Sequence, residues 1–124
     1  MANMQMPFNP GRTFQVWSYH VSHSVLLLRS NRDSGSHTRM DMMFRGVTEL
    51  QVRSKMKDLV VGLAGPESAA DGGRFKFSLD VGDWHGYVVA RGLYFSEDDL
   101  AYGEPSTIDD RELYAHVVRA GMWE

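Results

Sequence analysis

Apolar and polar residues along this chain alternate mostly with a period of two. Trp17, Tyr19 and Val21 interleave with Ser18, His20 and Ser22, and because successive strand side chains point to opposite faces, such alternation marks a half-buried strand. The spacing predicts a strand over about 13–20. Met40, Met42 and Phe44 alternate with Arg39, Asp41, Met43 and Arg45, and a second run, Val47, Leu50 and Val52, carries Glu49, Gln51 and Arg53 between its apolar positions. Residues 38–53 therefore read as a hairpin bent at Arg45-Gly46, apolar on one face and exposed with mixed charge on the other. The short β-branched run 58–63 adds a strand. Phe75, Phe77 and Leu79 alternate with Arg74, Lys76, Ser78 and Asp80 in the cleanest half-buried pattern of all. Gly82-Asp83 supplies a turn, and 84–95 is a long extended segment. Its Gly86, Ala90 and Gly92 share one face, which allows a bend or the close approach of another element.

Only the tail changes period. Ser106 and Thr107 are capping residues, Asp109, Asp110 and Glu112 suit a first turn, and Leu113, Val117 and Ala120 recur at helical spacing, with Arg119 and Gly121 near the end. A C-terminal helix over about 107–120 is predicted. Residues 1–11, with Pro7, Asn9, Pro10 and Gly11, have no period and read as a flexible N-terminal arm before one β-rich domain, 12–124. Loops are expected at 31–36 and at 65–73, where Gly65, Pro66, Gly72 and Gly73 cluster.

The expected fold is thus mainly β (α+β): about seven antiparallel strands in a sandwich or half-open barrel, with one C-terminal helix. That order of elements resembles the pleckstrin-homology-like barrel, in which a helix closes an open end. A meander with the helix packed on one sheet face fits the same order.

Composition narrows the classes. A chain of 124 residues with 43% hydrophobic and 23% charged residues can bury one core. The absence of cysteine rules out disulfides, thiolate metal sites and a cysteine nucleophile. The first residues have no basic region followed by an apolar core, and no run approaches the ~18 apolar residues of a membrane helix. A cytoplasmic protein without membrane contact is expected. The net charge of −3 is unevenly placed: residues 1–62 hold eight Lys/Arg against four Asp/Glu, and residues 63–124 hold five against twelve. Nucleic acid is disfavoured by the net sign.

Enzyme motifs are missing. There is no G-x-S-x-G elbow, no phosphate-binding glycine loop, no H-E-x-x-H and no calcium-loop spacing. His20 and His23, three apart, would share a metal only across a two-residue turn at Val21-Ser22, and Val is penalised at the positive φ such a turn requires. A looser bend through Ser22-His23-Ser24 fits better and leaves His23 at a polar tip. His37, His85 and Asp41 are the available third ligands, in no recognised spacing. No catalytic residue, metal or cofactor is assigned.

The contact candidates are four. His20 lies beside Tyr19, with His23 three residues on; Trp84 and His85 follow a turn with Asp80 and Asp83; Asp98 and Asp99 belong to an acidic stretch running from Glu97 through Glu104 to Glu112; and Met43 is apolar on an otherwise charged face. The leading expectation is a non-catalytic module that binds another protein or itself as a dimer. It is similar in kind to bacterial immunity proteins, which neutralise a toxin through an acidic surface. The alternative is a small-ligand-binding or histidine-based, metal-dependent enzyme.

Overall fold

In the computed structural model, which describes residues 2–32, 37–64, 73–108 and 110–124, the period-two runs become strands and the helical run does not become a helix. Eleven strands form among the described residues: β1 (Ala2–Asn3), β2 (Phe14–His20), β3 (Val25–Ser30), β4 (Arg39–Arg45), β5 (Glu49–Gln51), β6 (Lys55–Met56), β7 (Val60–Leu63), β8 (Phe75–Asp80), β9 (His85–Ala90), β10 (Gly92–Asp98) and β11 (Val117–Trp123). One sheet has seven strands in the order β1-β11-β10-β4-β3-β2-β6, the other four in the order β5-β9-β8-β7. All pairs are antiparallel except β1 with β11.

One core lies between them. Leu26, Leu28, Met40, Met42, Phe44 and Leu93 from the large sheet meet Val61, Phe77, Leu79, Val88 and Ala90 from the small one in a single buried cluster. These are the residues that alternation places on one face, Met40 and Met42 among them.

Three differences from the sequence-based picture have physical causes. Residues 38–53 are not a hairpin. Gly46 adopts φ 68°, a left-handed conformation that glycine takes without steric cost, and the chain there leaves the large sheet for the small one, so that β4 and β5 have different partners. The return crossing is at Arg91, whose N–H donates to the Arg45 carbonyl at 2.8 Å. It divides the expected long segment 84–95 into β9 and β10.

The helix over 107–120, and with it the helix-closed barrel, is replaced by a 3-10 turn, Arg111–His116, and then β11. Asp110 caps that turn by accepting from the Glu112 N–H. Thr107 spends its hydroxyl elsewhere, and Val117-Val118 are β-branched residues that suit a strand. β11 covers β10 from Leu93↔Trp123 to Asp98↔Val117, which satisfies a long ladder that a helix would have left unpaired.

The segment expected as an N-terminal arm lies against the sheets. Its backbone pairs with β11 through β1, Met4 is buried, and Phe8 exchanges hydrogen bonds with Val61. The expected loop at 31–36 is described only at Asn31 and Arg32. The glycine-rich stretch 65–73 lies outside the described residues except for Gly73. No helix among the described residues is long and apolar enough to cross a membrane.

Candidate functional site

β3 explains why the outer face of the large sheet is not simply wet. Its run Val25-Leu26-Leu27-Leu28 is apolar at both parities, which requires cover on both sides. Leu26 and Leu28 enter the core, whereas Leu27 and Arg29 point outward and are still buried. On β4 the outward Arg39 and Asp41 are fully buried, and so is Asp98 at the end of β10. The cover is the segment 99–108.

Two bidentate ion pairs hold it. Arg29 Nε and Nη2 donate to the two oxygens of Asp41 at 2.7 and 3.0 Å, and Arg39 Nε and Nη2 donate to those of Asp98 at 3.0 and 3.1 Å. The remaining donors reach the covering backbone. Arg29 Nη1 donates to the Tyr102 carbonyl at 3.1 Å; Arg39 donates to the carbonyls of Ala101, Glu104 and Pro105 at 3.3, 2.5 and 2.7 Å. Asp98 in turn accepts from the Leu100 N–H and the Thr107 hydroxyl, both at 3.0 Å. The Arg29 guanidinium also lies 4.6 Å from the Trp17 ring centroid, and Trp17 meets Tyr102 edge-on at 5.0 Å. Removing these four charges from water is costly, and the planar forks of both arginines offset it by pairing with acids and carbonyls together.

Outside this layer stand Asp99, Glu104 and Glu112, with the exposed rings of Tyr102 and Tyr114. Asp99 accepts from or pairs with His116 Nδ1 at 2.8 Å, and its N–H donates to the His116 carbonyl, which ties the loop to the start of β11. Beside the loop opens a cleft of about 380 Å³ lined by Phe95, Ser96, Thr107, Ile108, Tyr114, Val117 and Ala120.

The sequence-predicted residues are scattered. His20 ends β2 and His23 sits in the 3-10 turn Val21–His23, closed by Ser24 at φ 54°; both histidines are exposed. His85 is exposed and lies 2.5 Å from Asp80, while Trp84 is half-buried beneath Arg53, whose guanidinium is 4.9 Å from the ring. His37 is exposed, and Asp41 is committed to Arg29. No cluster of three metal-ligating side chains occurs among the described residues. Asp98 and Asp99, adjacent in sequence, face opposite fates: Asp99 is at the surface and Asp98 is buried under Arg39, so Asp98 contributes nothing to an exposed acidic surface.

Met43 is half-buried in a cross-strand row, flanked by Leu27 on β3 and Tyr94 on β10, with Met122 of β11 beyond Tyr94. Tyr94 donates to Glu124 and lies beneath Arg45 at 4.9 Å. Burial, and then the Glu124 carboxylate that accepts its proton, raise the Tyr94 hydroxyl above its ordinary pKa of 10.0.

Reading by alternation passes over Arg29, Arg39, Trp17, Tyr102 and Thr107. The doubly apolar run of β3 is the one signal that could have found them. In comparisons with protein-family models, curated proteins and solved structures, the chain finds no match in any of the three.

Proposed function

We propose that the protein is a non-catalytic binding module that engages a basic segment of a partner protein through the face formed by residues 99–108 and 110–116. The carrying observation is the lock on this loop: Arg39 spans Asp98 and three loop carbonyls, and Arg29 takes a fourth. A loop fastened in this way loses little freedom on binding, which favours affinity. It offers acids beside Tyr102 and Tyr114, which give apolar area with a polar tip. A surface of this sign attracts cationic chains. The similarity in kind to immunity proteins belongs to this reading.

The test compares proteins retained from cell extract by the immobilised wild type and by a doubly reversed variant, Asp99→Lys/Glu104→Lys. A basic protein held by the wild type and lost from the variant supports the reading. Equal retention, or none by either, overturns it. Asp98 is unsuitable for this test because its reversal would disrupt the buried layer.

A second reading, self-association, is favoured by the half-buried row Met43, Tyr94 and Met122, a stripe across three neighbouring strands. Here a second copy is the partner. Sedimentation of the wild type should then show a dimer that Met43→Glu converts to monomer; a monomeric wild type ends the idea.

A further inference from the structure

The cleft beside the loop carries a hydrogen-bond polarity that can be worked out atom by atom. Its two most buried lining residues are Ser96 and Thr107, with 2% and 1% of their surface exposed. Their hydroxyl oxygens are 2.5 Å apart, and Thr107 Oγ1 is 3.0 Å from Asp98 Oδ2. A carboxylate gripped at both oxygens by an arginine has no proton to give, so it accepts from Thr107. That commits the single Thr107 hydrogen. Ser96 must therefore donate to Thr107, which commits the Ser96 hydrogen as well. What remains is the Ser96 oxygen, an acceptor with lone pairs free and no further partner among the described residues.

From this we infer that the cleft is a binding site for a small aromatic molecule bearing one O–H or N–H donor, such as a phenol or an indole. The apolar walls supplied by Ile108, Tyr114, Val117 and Ala120 take the ring. The Ser96 oxygen, negative end of a chain of aligned hydroxyl dipoles that terminates on Asp98, takes the donor. A volume of about 380 Å³ falls within the range of small-molecule sites, which combine an apolar lining with a few placed polar groups. Ligands that only accept are refused, because both hydrogens of the relay already point inward. This inference does not rest on the partner reading above: the two share Tyr114, but neither Asp99 nor Glu104, the residues that test that reading, lines the cleft.

Matched ligand pairs test it: 4-ethylphenol against 4-ethylanisole, and indole against 1-methylindole, titrated into the full chain and followed by the methyl resonances of Val117 and Ala120. The donor member of each pair should bind about tenfold more tightly, the worth of one hydrogen bond to a buried acceptor. Ser96→Ala should equalise the pair by weakening the donor alone. Ala120→Phe, at a partly exposed position, should abolish binding of both. Equal affinities in the wild type, shifts that survive Ala120→Phe, or no saturable binding at millimolar ligand each overturn the assignment. So does a response confined to tyrosine- or tryptophan-bearing peptides, which would make the cleft a partner's anchor site.

Discussion

The two faces of the seven-stranded sheet are buried to similar depth by opposite means. On the inner face Met40, Met42 and Phe44 of β4 meet the small sheet with no polar atom to satisfy. On the outer face Arg39 and Asp41 of the same strand are equally inaccessible, every charge has a counter-charge, and Arg29, Arg39 and Asp98 each make further hydrogen bonds. The inner layer is tolerant of shape and intolerant of lost volume. The outer layer is intolerant of any single deletion, because a surviving partner is left charged and dry.

That contrast can be broken most forcefully at Arg39. Arg39→Ala strands Asp98 and frees three carbonyls, and should cost about 3–5 kcal/mol in urea unfolding. Replacing both partners, Arg39→Met with Asp98→Leu, should recover most of that loss, since an apolar pair of similar volume leaves no charge behind. A double variant as unstable as the single would mean that the carbonyl contacts, and not the charges, dominate. The inner face gives the next effect: Met42→Ala should cost about 2–4 kcal/mol by leaving a cavity, and no charge-removing second substitution should repair it.

Smaller effects sharpen the difference between the layer and its surface. Asp99→Lys with Glu104→Lys should change thermal stability by no more than about 0.5 kcal/mol, although both residues lie within the locked segment; a larger loss would place them in the layer. The smallest effect is alkaline. The Tyr94 pKa is raised in the folded state, so the phenol form is the one the fold favours. Its contribution is present below the unfolded value near 10 and is lost as pH climbs through the higher folded value. Tyr94→Phe should flatten that part of the alkaline stability curve, as followed by circular dichroism.

Alternation made the inner face legible in the sequence. Phe77, Leu79, Met40 and Met42 lie where a period of two places them, and the strands at 14–20, 39–45 and 75–80 follow from the same pattern. The outer face was illegible because parity reports only that Arg39 and Asp41 share a side with each other, not whether water or chain lies over them. The tail misled for a related reason. Thr107 has the chemistry of a cap, yet its hydroxyl goes to Asp98, a partner nine residues away that only the folded sheet brings near. Of the candidate contacts, Asp99 lies on the locked face and Met43 in the apolar row. The histidines are separately exposed, because the bend at 21–24 keeps His20 on a strand and His23 in the turn.

The Arg39 lock also sets an order of events. Arg39 and Asp98 are 59 residues apart in the chain, and they meet only when β4 and β10 have aligned across both sheet crossings. Contacts of such separation form late, after the entropy of closing a long loop has been overcome. Until then segment 99–108 has no arginine to hold it, so a partly folded chain does not display the ordered loop. An ordered loop is therefore a certificate of completed folding, and the exchange rate of the Leu100 amide, held by Asp98, reads how often the Arg39 lock opens.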